Sequence, residues 1–266
     1  MQFFDEPAIT TYLIKGRPVM NSERSPDIYP LLRGDLLGLA RTLRPTDRVR
    51  LIEVDGEGDE LWPMQSMREP LPLDRLPVRL VTLKSGDREP SSKSADPPAT
   101  YGRIQGLYDA VAAALLRPPP PDRRHVVIVY TDGIDGASVL TPAVFQALAR
   151  ESTAVMYLAL RSNAREIRAA FHMSPSPLFD PYRFLWWPPD PQVIQDAARS
   201  TGGSVFFHPA GSLTGDLRQI LDTFRQSYVL RYQPTGVPGP GWHDVTITIA
   251  RPGKFVVNAR RGYNGG

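Results

Sequence analysis

The sequence predicts an α/β fold in which helices flank a mainly parallel central sheet, followed by a C-terminal antiparallel β appendage. Residues 125–130 (HVVIVY) and 153–160 (TAVMYLAL) are short, continuously apolar runs, typical of parallel strands that are buried on both faces. A helical pattern at 141–152 separates them and begins with a Thr-Pro pair, a common N-cap and first-turn combination. This alternation of strand and helix favours a parallel sheet.

The other helices are predicted from apolar periodicity and from residues that end helices. Alanine-rich residues 106–116 stop at a run of four prolines, and residues 191–203 end in a Gly-Gly pair. Further helices are expected over residues 27–43 and 212–226, each with an apolar stripe on one side.

The remaining strands are less evident from the sequence. Residues 47–56 and 204–207 have strand character, whereas IKGRP (14–18) is a poor candidate for a buried strand. Residues 57–100 are rich in proline and are expected to be irregular, with a short strand at 78–83. DGEGDE (55–60) lacks the spacing of a calcium loop, so we interpret it as a solvated turn.

The C-terminal part differs in pattern from the rest. SYVLRYQP, WHDVTITIA and KFVVNARRGY are three strand-like segments that Gly/Pro turns separate, with no helix between them. We therefore expect an α/β domain over residues 1–226, with a proline-rich segment (57–100) and an aromatic insertion (161–190). Residues 227–266 would form a β-strand extension packed on that domain.

Composition excludes several functional classes. The chain of 266 residues has no cysteine, which excludes disulfides, thiolate zinc sites and thiol nucleophiles. The formal net charge is +3 and no dense Lys/Arg run occurs, so nucleic-acid binding is disfavoured. No apolar stretch approaches the roughly 20 residues that a membrane helix needs. The first residues show no signal-peptide pattern.

Motifs for catalysis are also missing from the sequence. The four histidines do not form a metal-binding pair at helical spacing, and no G-x-S-x-G elbow or phosphate-binding glycine loop occurs. Asp109 lies in the first turn of a predicted helix; it could face the site, but we favour the simpler role of a partner of the helix dipole. The sequence therefore predicts a protein that is not an enzyme.

Four stretches carry a family resemblance: VVIVYTDGIDGAS, GLYDAV, STGGSVFF, and SYVLRYQPTG followed by HDVTITIARPGKFVVNARRGY. They resemble von Willebrand factor A (vWA) domains, and in particular the bacterial VWFA-related family first described from acidobacteria. The resemblance runs from about Asp27 to Tyr263. It implies a Rossmann-like vWA fold with a metal-ion-dependent adhesion site that holds Mg²⁺ or a similar ion, and Asp132 matches the aspartate of that site.

The other metal ligands of the family do not carry over. Where the family has D-x-S-x-S, this chain has VMNSERSP, in which Asn21, Ser22 and Ser25 supply oxygens without a carboxylate. Gln105 replaces the family's threonine. We therefore expect a degenerate site with no cofactor, in which Asp132 caps a loop and Asp135 forms a turn beside glycine. Should the site survive, its ion would be Mg²⁺, Mn²⁺ or Ca²⁺, held by Asp132, Ser22 and Ser25.

The aromatic insertion contains candidate partner-binding residues. Tyr182, Phe184, Trp186 and Trp187 lie among prolines, and exposed aromatic side chains in such a setting can anchor a partner protein. The alternative is that the insertion folds back and buries them as a small satellite core. The sequence favours neither interpretation.

Three functional hypotheses follow. The leading one is a non-enzymatic protein–protein interaction module of vWA type with a degenerate ion site. The second is a Mg²⁺-dependent adhesion domain whose ion site still works. The third is a metal-assisted hydrolase that uses Asp132 and Asp135, although no general base or nucleophile is identifiable. The resemblance also implies an exported, periplasmic location; the sequence itself names no partner and no oligomeric state.

Overall fold

A six-stranded sheet forms the centre of the fold in the computed structural model, which describes residues 8–16, 33–54, 59–69, 106–118, 123–131, 133, 135, 138–160, 190–207, 214–230, 234–236 and 239–265. The strands are β1 Ala8–Gly16, β2 Arg48–Val54, β3 Asp59–Ser66, β4 Arg123–Thr131, β5 Val155–Leu160 and β6 Val205–Phe207. Their order across the sheet is β3-β2-β1-β4-β5-β6. All neighbours are parallel except β3, which pairs antiparallel with β2. The predicted α/β class with a mainly parallel sheet is confirmed.

The sequence-based prediction for the first strand, β1, was wrong. We expected no good buried strand around IKGRP, yet β1 lies in the middle of the sheet and pairs with both β2 and β4. The strand ends at Gly16 and begins well before that motif, in AITTYLI. Isoleucine, threonine and tyrosine, which favour strands, make up most of this segment.

The predicted solvated turn and irregular segment were also wrong in part. Residues 59–66 form β3 at the edge of the sheet, with Asp59 opposite Glu53 and Ser66 opposite Arg48. Pro63 is compatible with an edge strand, since an edge residue can lack a backbone donor without breaking the sheet. The strand expected at 78–83 lies outside the described residues.

Within the described ranges, five helices cover the two faces of the sheet: α1 Arg33–Thr42, α2 Leu107–Leu115, α3 Pro142–Glu151, α4 Pro191–Ser200 and α5 Thr214–Gln226. All five were predicted, although α1 is described only from Arg33. One core joins the sheet to α1 and α5, and the second joins it to α2, α3 and α4. Thr141 caps α3 as expected, because its hydroxyl oxygen accepts a hydrogen bond from Val144 N at 3.2 Å.

The C-terminal appendage forms a smaller sheet of two antiparallel strands, β7 Gly241–Asp244 and β8 Gly262–Gly265. The expected three-stranded meander is therefore confirmed only in this pair. Residues 228–230, 245–250 and 254–259 have strand-like sequences but are not strands, and Tyr228, Leu230 and Val256 are largely exposed. Strand propensity produces a strand only where a neighbouring strand accepts its hydrogen bonds.

The appendage contacts the end of the main sheet where β5 and β6 begin. The Arg260 guanidinium donates to the Ser152 carbonyl oxygen at the end of α3. Asn258 Nδ2 donates to Ser204 Oγ at 3.2 Å, and Asn264 Nδ2 donates to Glu151 Oε1 at 3.2 Å. A cation at a helix C-terminus is favourable, so the Arg260 contact helps to hold the appendage on α3. Among the described residues, no helix combines the length and apolar character that crossing a membrane requires.

His125, in β4, makes the stability of the fold depend on pH. The side chain is buried, and burial lowers its pKa from 6.5 to about 4, against the smaller opposing effect of the nearby Arg117 backbone. The unfolded chain therefore takes up a proton near pH 6.5, which the folded chain resists until about pH 4.

We expect the free energy of unfolding to fall by about 3 kcal/mol as the pH drops from about 6.5 to 4. Urea unfolding of the wild type and of His125→Gln at several pH values in this range measures the effect. The variant should lose this part of the slope. Equal slopes in the two proteins would show that His125 does not cause the acid sensitivity.

Candidate functional site

The candidate site is the edge of the sheet where the parallel strands end, which is where open α/β sheets bind ligands. β4 ends there at Thr131, β5 ends at Leu160, and helices α2, α3 and α4 begin there. Thr131 is buried, and its Oγ1 accepts a hydrogen bond from Gly133 N at 3.1 Å. The turn after β4 is thereby tied to the strand end.

Gly133 meets a strict steric requirement in that turn. Its φ is +86°, a conformation that favours glycine. A Cβ atom here would lie 3.0 Å from Leu160 Cδ1 and 3.0 Å from Pro191 Cβ. The glycine of the TDG motif is therefore needed for the turn to pass between β5 and the start of α4.

Asp135 is buried and uses its carboxylate to hold the beginning of α2. Oδ1 accepts hydrogen bonds from Ser138 Oγ at 2.6 Å and from Tyr108 N at 3.1 Å, while Oδ2 accepts from Ser138 N at 3.2 Å. Leu107 N is a further donor to this carboxylate. The prediction of a simple turn former was incomplete, because Asp135 also satisfies backbone N–H groups at a helix N-terminus.

These four donors match the acceptor capacity of a carboxylate, which offers about four lone-pair positions. Burial raises the pKa of the Asp135 carboxyl above its ordinary value, and the hydrogen bonds oppose that rise. A carboxylate engaged in this way is a poor metal ligand and a poor general base. The role of Asp135 in the hydrolase hypothesis therefore has no support in this geometry.

Asp109 makes the reciprocal contact from the helix to the loop. Its carboxylate accepts hydrogen bonds from Val139 N at 2.8 Å and Leu140 N at 3.0 Å, and its own N–H donates to Ser138 Oγ at 3.1 Å. From the sequence we favoured a dipole partner of the helix over a residue that faces the site. The structure adds a second role, since Asp109 binds the backbone of a loop about thirty residues further along the chain.

We call Asp109, Asp135 and Ser138 the α2 clamp. It joins the start of α2 to the loop before α3 from both sides. At the surface of this loop, the Val139 side chain is 74% exposed, although its backbone N–H is held. The clamp therefore presents an apolar side chain on a fixed backbone at the carboxyl edge of the sheet.

Tyr108 connects the clamp to α3, because its backbone N–H donates to Asp135 and its ring packs on a residue of that helix. It is buried and stacks on Phe145 of α3 with ring centroids 4.7 Å apart. Burial raises the pKa of the Tyr108 hydroxyl, and the charges of Asp135 and Asp190 add to the rise. Neither Tyr108 nor Ser138 was predicted from the sequence as a site residue. The spacing of Asp135 and Ser138, three residues apart, is a capping signal that could have identified the latter.

The metal-ligand and partner-binding residues predicted from the sequence lie outside the described residues. They are Asp132, Ser22 and Ser25 for the ion, and Tyr182, Phe184, Trp186 and Trp187 for the partner. In the part of the chain that the structure describes, no three or more His, Asp or Glu side chains group in a way that could hold a metal ion. The nearest carboxylate to the expected ion position along the chain, Asp135, is already fully hydrogen-bonded.

No protein-family model matches the chain, and no curated protein matches it significantly. Solved structures similar to it include the conserved hypothetical protein BatB from Bacteroides thetaiotaomicron, with 15% identity, a TM-score of 0.47 and coverage of 83% of this chain and 100% of that one. Another is an aerotolerance-related membrane protein from Bacteroides fragilis NCTC 9343, with 10% identity, a TM-score of 0.46 and the same coverage. With TM-scores below 0.5, neither similarity bears on function.

Proposed function

We propose that this chain is a non-enzymatic protein–protein interaction module of vWA type with a degenerate metal-ion-dependent adhesion site. The strand order β3-β2-β1-β4-β5-β6, with an antiparallel edge strand and helices on both faces, supports the Rossmann-like vWA arrangement that the family resemblance implies. Asp132 would then descend from a metal ligand and hold its loop.

The α2 clamp is the observation that carries the proposal. Asp109 and Asp135, at the carboxyl edge of the sheet, both accept hydrogen bonds from backbone N–H groups and so hold a loop in place, which supports the proposal. Such a loop is fixed before a partner arrives, which lowers the entropy cost of association. Val139 stands exposed on it and would enter an apolar pocket of the partner.

Capture from extracts of cells that produce this chain tests the proposal. Three immobilised proteins are compared by quantitative mass spectrometry: the wild type, Val139→Arg, and the control Val256→Arg. Val256 is 90% exposed and belongs to the C-terminal appendage, so its substitution adds the same charge far along the chain. We expect Val139→Arg to reduce retention of a specific partner by about tenfold or more, and Val256→Arg to leave it unchanged.

The same capture is repeated with EDTA. Retention that survives EDTA and is lost in Val139→Arg supports a metal-independent module. Retention that EDTA abolishes would favour the Mg²⁺-dependent adhesion domain instead. A partner that Val139→Arg retains as well as the wild type does would contradict the role of this loop.

A further inference from the structure

The opposite edge of the sheet, where the parallel strands begin, collects arginines from segments that are far apart in the sequence. Arg48 opens β2, and Arg123 opens β4. Arg44 precedes β2, Arg68 follows β3, and Arg117 follows α2. We call these five residues the arginine edge.

Backbone pairing places these segments together. β1 pairs Thr10 with Arg48 on one side and Ala8 with Arg123 on the other, so both arginines open strands next to β1 at the same end. β3 runs antiparallel and finishes beside Arg48, where Met67 N donates to Asp47 O at 3.0 Å.

Hydrogen bonds tie in the remaining segments. Arg123 Nη1 donates to Thr46 O at 2.6 Å, which joins the start of β4 to the turn that contains Arg44. The Arg117 backbone lies close enough to the His125 side chain to affect its pKa, so the end of α2 lies at the same edge.

Positive charge outweighs negative charge in the described segments of this edge, where the exposed Glu69 beside Arg68 is the acidic side chain that opposes the arginines. Arg44, Arg48, Arg68 and Arg117 are exposed, and Arg123 is half-buried. Within the described part of the chain, no ion pair involves Arg48, Arg68 or Arg117. The buried carboxylate of Asp47 is already bound by Arg225 at 2.9 Å. The exposed guanidinium groups therefore form a positive surface.

We propose that the arginine edge is a second docking surface, which binds an acidic polypeptide segment. Charge complementarity is the reason, and the planar guanidinium group can bind a carboxylate through two parallel hydrogen bonds. β1 separates β2 from β4, so Arg48 and Arg123 open strands roughly 10 Å apart, a distance that about three residues of an extended peptide cover. This goes beyond the function proposed above, because it uses the opposite edge of the sheet.

Two other anionic partners fit this surface less well. Single-stranded nucleic acid is usually bound by aromatic side chains that stack on the bases, and no Phe, Tyr or Trp occurs in the segments that carry these arginines, residues 44–48, 66–69, 115–118 and 123–125. Proteins that bind a membrane surface usually insert several large apolar side chains into it. Next to Arg117 the structure shows one exposed apolar side chain, Leu116. An acidic protein segment requires neither feature.

Fluorescence anisotropy with a labelled polyglutamate peptide tests the proposal. The test variant is Arg48→Gln/Arg68→Gln/Arg117→Gln. The matched control is Arg218→Gln/Arg251→Gln/Lys254→Gln, which removes the same charge from exposed positions in α5 and in the C-terminal appendage. We expect the test variant to bind about tenfold more weakly than the wild type and the control to stay within about twofold. Binding should weaken as salt rises to about 0.15 M.

Unfolding curves of both triple variants ensure that a loss of binding is not a loss of fold. Equal effects of the two triple variants would overturn the proposal, because binding would then follow net charge alone. A labelled single-stranded oligonucleotide and phosphatidylglycerol vesicles are measured in parallel. Preference for either of them over polyglutamate, lost in the test variant, would also overturn it in favour of that partner class. The capture experiment with Val139→Arg tests the carboxyl edge of the sheet, whereas the anisotropy experiment tests the arginine edge. Either proposal can therefore fail while the other holds.

Discussion

Replacing Asp135 with alanine is expected to destabilise the fold by about 3–5 kcal/mol, since the change leaves several buried N–H groups without an acceptor. The affected donors are the backbone N–H groups of Leu107, Tyr108 and Ser138, together with the Ser138 hydroxyl. Each unsatisfied buried donor costs about 1–3 kcal/mol, partly offset where water can enter. Urea unfolding monitored by circular dichroism measures the loss.

Asp222→Ala is the matched control for this change. Asp222 lies in α5, is about half exposed, and faces Arg218 at 3.8 Å and Arg225 at 4.0 Å. Exposed pairs of this kind contribute about 0.5 kcal/mol, so the control should unfold almost as the wild type does. If Asp135→Ala cost no more than Asp222→Ala, the carboxylate would not be holding the start of α2.

Replacing Gly203 with alanine is expected to cost about 3–5 kcal/mol, because the added methyl group would overlap the backbone carbonyl oxygen of Met156 in β5. A side chain could rotate away from such a contact, but the backbone of a central strand cannot. Gly203 N also donates to Ala198 O at 3.2 Å as α4 ends, and Met156 N donates to Thr201 Oγ1 at 2.8 Å. Both sides of the contact are therefore fixed.

Gly215→Ala provides the opposite result as a control. Gly215 lies in the first turn of α5, and a Cβ atom there would have no neighbour within 4 Å. Alanine is the better helix former, so this change should stabilise the protein by about 0.5–1 kcal/mol. Urea midpoints of the two variants should move in opposite directions. A Gly203→Ala midpoint equal to that of the wild type would mean that β5 and the end of α4 are not in close contact.

The candidate site was predictable in position but not in its contacts. The apolar run of β4 followed by TDG places a loop at the carboxyl edge of a sheet, which a sequence pattern can indicate. The role of Asp135 depends on α2, which begins 28 residues earlier in the chain. A pairing between distant segments leaves no local signal, so Asp135 was interpreted as a turn former.

Local patterns determined most of the secondary structure of this protein. The five helices, the buried strands β4 and β5 and the Gly-Gly end of α4 all follow from apolar periodicity and from capping residues, which act within a few positions of the chain. The local Thr-Pro start of α3 is of the same kind.

Only the tertiary structure decided which segments meet. It made β1 a central strand despite a weak sequence signal, and it paired β3 at the edge, because a sheet takes its hydrogen bonds from any strand that lies alongside. Most of the strand-like C-terminal segments do not join a sheet, because no strand lies alongside them in the described part of the chain. The tertiary structure also gathered scattered arginines into one surface, since the ends of neighbouring strands come together whatever their separation in sequence.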